Sequence, residues 1–169
     1  MVSKEKVLRC MMYRVGEHIV HPLHGAGVID EIEERKVGDK LKQFYVLHLG
    51  KSSMTVKIPV ESCDSIGVRP VVDSEYAERV ISSFGDISTD MTQNWNKRYR
   101  ENLLKIRSGD LFEVAGVIKG LMERESQKGL SNGERKMLRS AKQIFISELV
   151  IAQDSTYEEV ETRLNEAFG

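Results

Sequence analysis

MTVKIPV, running from Met54 to Val60, alternates without a break: Met54, Val56, Ile58 and Val60 fall on one side of an extended chain, Thr55, Lys57 and Pro59 on the other. Period two is the signature of a half-buried β-strand. Working toward the N-terminus, QFYVLHL (Gln43 to Leu49) is rich in aromatic and β-branched residues, and GVIDEIEER (Gly27 to Arg35) reads as a longer strand with a polar outer side. Turn chemistry separates the runs at HPLHGAG (residues 21–27), VGDK (37–40) and LGKSS (49–53). Short strands with tight turns and no helix between them predict a small, strongly bent antiparallel sheet or barrel.

The period changes after Asp73. Asp73 or Ser74 can cap a short helix through Phe84, with Ala77, Val80, Ile81 and Phe84 inward. The polar run GDISTDMTQ (Gly85 to Gln93) reads as a loop. Capping-box spacing marks three further helix starts, at Asp110 with Glu113, Ser131 with Glu134, and Ser155 with Glu158. Gly109 and Gly129 sit where left-handed C-terminal residues belong. Apolar stripes (Leu138, Ala141, Ile144, Phe145, Leu149; then Tyr157, Val160, Leu164, Phe168) predict core faces. The expected fold class is α+β, with a β domain over residues 1–72 and an all-helical domain over 73–169.

The chain has 169 residues, 40% hydrophobic and 30% charged, which describes a globular chain and neither a disordered nor a membrane-embedded one. No apolar run approaches the ~18 residues of a membrane span, and the N-terminal tract lacks the apolar core of a secretory signal. Cys10 and Cys63 are too few for a disulfide framework, so a reducing, cytoplasmic compartment is expected.

A net charge of −1 conceals segregation: residues 92–142 hold 12 Lys+Arg against 6 Asp+Glu, while residues 143–169 hold 1 against 6. Inside the basic block lies TQNWNKRYRENLLKIR (Thr92 to Arg107), with the only tryptophan, Trp95, beside Lys97, Arg98, Tyr99 and Arg100. A flat apolar ring among cations suits a surface that holds phosphates and presses against bases. The same tract also reads as a helix that buries Trp95 and Tyr99 and solvates its arginines, the commoner fate of a basic helix. Both readings stand at this stage.

Catalytic motifs are missing from the sequence. His18, His21 and His24 cluster, but their spacing of three alternates strand faces and no Cys or helical HExxH accompanies them. Their Pro-Leu-His-Gly run reads as a turn with a structural hydrogen bond from His24. GAG at 25–27 precedes a strand, not a helix, and so is no dinucleotide loop. Cys63, expected half-buried after the last strand, has no base partner in sequence. No enzyme, cofactor or metal site is predicted.

VGEHIVHPLHGAGVIDEIEER, FYVLHL, MTVKIPVE and IGVRPVV resemble the N-terminal module of the CarD/CdnL family of bacterial transcription regulators, a module shared with transcription-repair coupling factors. NWNKRYRENLLKIRSGD and KGLSNGERKMLRSAKQI resemble that family's helical C-terminal domain. The similarity runs from about Tyr13 to the last helix, and no motor motif is present. It implies a Tudor-like antiparallel β barrel that binds the RNA polymerase β subunit, joined to a helical domain that touches promoter DNA upstream of the melted region and stabilises the open complex. It further implies polymerase contacts by Arg35 and Lys57, a minor-groove role for Trp95, and phosphate contacts by Lys97, Arg98, Arg100 and Arg135. Lys57 stands where some members carry arginine, keeping the charge without the bidentate fork. Two other readings remain: a stand-alone nucleic-acid-binding adaptor without polymerase contact, and a metal-dependent enzyme built on the histidine turn.

Overall fold

The structure, a computed structural model, describes residues 13–50 and 53–169. Cys10 and the Lys51–Ser52 part of the third turn lie outside them. The chain divides into two compact units, Met1–Val71 and Val72–Gly169.

The first unit is a five-stranded antiparallel sheet: β1 (His18–His21), β2 (Gly25–Val37), β3 (Lys40–His48), β4 (Thr55–Pro59) and β5 (Arg69–Pro70), in the order β4-β3-β2-β1-β5. This is the antiparallel, Tudor-like half of the α+β fold expected from the sequence. Ile19, Ile29, Tyr45, Leu47 and Ile58 line its core with Val60, Cys63 and Val68. The alternation of MTVKIPV holds inward from Val56, which packs against the core, through the buried Ile58 and Val60, whereas Met54 is 57% exposed at the strand's mouth. A short helix, α1 (Cys63–Ile66), follows a 3-10 turn and buries Cys63 fully, not half as expected; its thiol donates to the Pro59 carbonyl at 3.7 Å.

One irregularity decides which way β2 faces. The β2–β3 register shifts between Ile29 and Glu31. Ile29 opposes Leu47 on the core side, and strict alternation would have driven Glu31, Glu33 and Arg35 inward after it. The extra residue, Asp30, turns these three to the outer face, opposite Val46, Phe44 and Lys42. Gly27 permits close strand approach, since a Cβ there would run into the His48 carbonyl oxygen.

The helical unit contains α2 (Ser74–Ser82), a 3-10 turn (Phe84–Asp86), α3 (Trp95–Arg107), α4 (Leu111–Gln127), α5 (Asn132–Ala152) and α6 (Tyr157–Phe168). Its core is continuous from Ala77, Val80, Ile81 and Phe84 through Ile118, Leu121 and Phe145 to Val160 and Leu164. Asp73, Asn94, Asp110 and Ser131 each accept a backbone N–H as N-caps. The last start is one residue later than the spacing predicted: Thr156, not Ser155, caps α6, and Glu159 completes its capping box. That frame turns Tyr157 outward, 43% exposed, rather than into the core. The polar loop before α3 is strapped to α4. Lys119 donates to the carbonyls of Gly85 and Ile87 at 2.7 Å each, and Met91 lies over Gly120.

Candidate polymerase and nucleic-acid interfaces

On the outer face of the sheet, Arg35 and Lys57 converge on one carboxylate. Lys57 Nζ lies 2.9 Å from Glu33 Oε2 and Arg35 Nε 3.6 Å from Glu33 Oε1, with both cations substantially exposed. The Lys57 hydrogen bond, chiefly, holds the Glu33 carboxyl below its usual range; burial pushes the other way, and the Lys57 and Arg35 charges add to the lowering. Exposed pairs of this kind are weak and are screened by salt, so a competing carboxylate can replace Glu33 at little cost. Lys42 pairs with Glu61 at 2.9 Å on the same face.

The histidine turn joins β1 to β2. His21 ends β1 and Gly25 begins β2, so the turn is tighter than the predicted 21–27. The hydrogen bond expected of His24 is a backbone one, its N–H donating to the His21 carbonyl at 3.2 Å, and His21 Nδ1 adds a second by accepting the Leu23 N–H at 3.1 Å. Among the described residues no group of three or more His, Cys, Asp or Glu is placed to hold a metal.

In the helical unit the Trp95 tract resolves residue by residue. Helix α3 buries one side, Arg98, Asn102 and Ile106, and turns Lys97, Arg100, Leu104 and Arg107 to the outside. Trp95, at the first helical position, is 43% exposed and stacks on Tyr99, centroids 5.1 Å apart at 20°. Its Nε1 donates to Ser131 Oγ at 3.0 Å, which brings the start of α3 against the start of α5. Arg135, in the first turn of α5, is exposed. Lys97 is exposed and only loosely paired with Glu101, at 3.9 Å.

Arg98 is not a surface residue. It is 1% exposed, and its guanidinium is bidentate to the buried Glu134, Nε to Oε2 at 3.0 Å and Nη2 to Oε1 at 3.1 Å. Its Nη1 donates to the carbonyls of Thr92 and Gln93, at 3.0 Å each. With four of its five N–H donors engaged inside the protein and the side chain buried, Arg98 is not placed to meet a phosphate, so the sequence expectation of a phosphate contact here is corrected. Burial pushes the Glu134 carboxyl up, but the Arg98 hydrogen bond and charge, aided by Arg124 and Ser131, outweigh it and hold it below the ordinary range. The basic block is accordingly less basic at its surface than its count suggests. Arg98 is interior, Arg124 lies 3.8 Å from Glu134, and Lys119 is spent on loop carbonyls.

Comparison with known proteins matches both units. Residues 13–72 match the CarD-like/TRCF RID domain, and residues 79–165 match the CarD C-terminal domain. The "Putative transcription factor YdeB" of Bacillus subtilis (strain 168) is 35% identical over 151 residues, covering 89% of this chain and 99% of that protein. The chain belongs to the CarD family. Membership carries a transcription-regulating role, with RNA polymerase interaction implied in general terms by the type of the N-terminal domain. The family is of a transcription-factor, in general non-enzymatic, type. Among the described residues no helix is long and apolar enough to cross a membrane.

Within this CarD-family chain the sequence reading passed over Ser131 and Glu134 except as a helix start. Their capping-box spacing was visible, but their partners are Trp95 and Arg98, 36 residues away. No local pattern encodes that contact.

Proposed function

We propose that this protein binds the RNA polymerase β subunit through its N-terminal sheet and promoter DNA through its helical unit, at the upstream edge of the bubble, and so stabilises the open complex. The observation that carries the reading is Trp95, a half-exposed ring at the meeting of two helix starts, with Lys97, Arg100 and Arg135 exposed on those same helices. The three cations supply sequence-independent affinity for phosphates. The ring supplies an apolar wedge for the minor groove at a step the polymerase has already unstacked. A wedge that fits the melted junction better than closed duplex shifts the equilibrium by that difference alone. About 1.4 kcal/mol changes the open-to-closed ratio tenfold.

For the polymerase contact, Arg35 and Lys57 present two cations around a readily displaced carboxylate. The strand β4, at one end of the sheet order, can add to a partner's sheet by main-chain hydrogen bonds. Such a protein works in the cytoplasm, on the nucleoid by way of the polymerase. Retention of RNA polymerase from bacterial lysate by the tagged full chain tests the reading. Polymerase should be retained, and Arg35→Glu should weaken retention. Tight binding to free DNA with no polymerase retained would favour a stand-alone adaptor instead.

A further inference from the structure

The Ser131 hydroxyl uses its whole hydrogen-bonding capacity. It accepts from Trp95 Nε1 at 3.0 Å and from the Glu134 backbone N–H at 3.2 Å, and it donates to Glu134 Oε1 at 3.3 Å. A hydroxyl has one donor and two acceptor sites, so its orientation is fixed by these three partners. Glu134 is itself immobilised by Arg98, which also grips the two carbonyls just before α3. The chain leading into Trp95 is therefore held by Arg98, and its indole by Ser131. The ring pair lies against the first turn of α5, where a Cβ at Gly133 would meet the Trp95 ring at 3.6 Å and Tyr99 at 3.7 Å, ordinary van der Waals contact.

We propose that Ser131 is a positioning residue for Trp95: its hydroxyl holds the indole in one orientation in the free protein and occupies the ring's sole hydrogen-bond donor. This rests on the wedge reading of Trp95 and deepens it. An anchored ring enters the groove without first having to be ordered, which an unanchored one would require. With its N–H engaged internally, the indole offers DNA only apolar faces and edges. Trp95 then wedges without reading base identity, because the indole has no second donor and no acceptor to present.

The single tryptophan makes the test direct, since all indole fluorescence comes from position 95. Ser131→Gly removes the hydroxyl while keeping a tolerated N-cap residue; Ser131→Thr returns the hydroxyl. In Ser131→Gly the fluorescence anisotropy of the free protein should fall, and the open-complex lifetime with polymerase should drop about two- to tenfold, the range of one neutral hydrogen bond. Ser131→Thr should restore both. In a Trp95→Ala background Ser131→Gly should shorten the lifetime no further. Replacing tryptophan throughout by 3-benzothienylalanine, a ring of the same shape without the N–H, should reproduce Ser131→Gly. Unchanged anisotropy and lifetime in Ser131→Gly, or an undiminished loss in the Trp95→Ala background, would overturn the positioning role while leaving the wedge intact. If Trp95→Ala by itself left the lifetime at the wild-type value, the wedge and its positioning would fall together.

Discussion

Replacing Arg98 by alanine separates an interior strut from a phosphate contact. The change removes two bonds to Glu134 and the donors of the Thr92 and Gln93 carbonyls, all at a side chain 1% exposed. It leaves a buried carboxylate with only Arg124, at 3.8 Å, and Ser131 for company. Breaking one side of a buried pair costs ~3–5 kcal/mol. A unit the size of Val72–Gly169 loses roughly 4–8 °C of melting temperature per kcal/mol, so the drop should be roughly 12–40 °C. The double change Arg98→Met with Glu134→Leu should lose less than Arg98→Ala, because no charge is left behind in the core. Urea denaturation followed by far-UV circular dichroism measures all three proteins, alongside the salt dependence of DNA binding under conditions where each remains folded. A phosphate contact would give the opposite pattern, with stability intact and the salt slope reduced by about one. A loss below ~1 kcal/mol in Arg98→Ala would show that Arg98 is no interior strut.

The acid limb of stability should carry the mark of Glu134. Its carboxyl is held below the ordinary value of 4.5 in the fold, so its contribution is complete above that value and is lost as pH falls through the folded-state one. Glu78, lowered to about 2 chiefly by the Arg163 hydrogen bond, titrates in the same direction. Urea midpoints should therefore fall between about pH 4.5 and 2, and Glu134→Gln should flatten that fall; an unaltered slope would contradict the assignment. Binding to free duplex should show a log–log salt slope of roughly −3 if Lys97, Arg100 and Arg135 each meet a phosphate, and each single alanine variant should reduce it by about 0.9. A flat salt dependence would exclude them. Gly120→Ala should cost ~1–3 kcal/mol as Met91 swings away, and Gly27→Ala should cost more, because a backbone carbonyl cannot; equal melting temperatures for the two variants would contradict this.

Periodicity was enough to read the two halves, because each strand or helix buries a face that repeats along the chain. It failed where one residue breaks the period or where a partner is remote. The bulge at Asp30 reverses the outlook of Glu31, Glu33 and Arg35, and nothing in GVIDEIEER announces it. Strand β1 is only four residues long and merges with the histidine turn, so its pairing with Gly25–Val28 was hidden inside a turn signal. In the basic tract, Arg98 is chemically the same as Arg100. The helical spacing that joins it to Asn102 and Ile106 was available, but the carboxylate that makes burial tolerable sits on α5. Trp95 lies between the two readings the sequence left open, half-covered by Tyr99 and Ser131 and otherwise exposed.

On the proposed function, the exposed part of Trp95 holds promoter DNA open. The most direct measurement is the half-life of the polymerase open complex with wild-type protein and with Trp95→Ala, paired with a melting curve of each. Losing the Tyr99 stack and the Ser131 hydrogen bond should cost about 1–3 kcal/mol of folding stability, at or below the low end of the ~3–5 kcal/mol of a fully buried tryptophan. Trp95→Ala should stay folded at the assay temperature and shorten the half-life toward that of polymerase alone. A half-life equal to wild type, or one that falls only because the protein has unfolded, would contradict the proposed function.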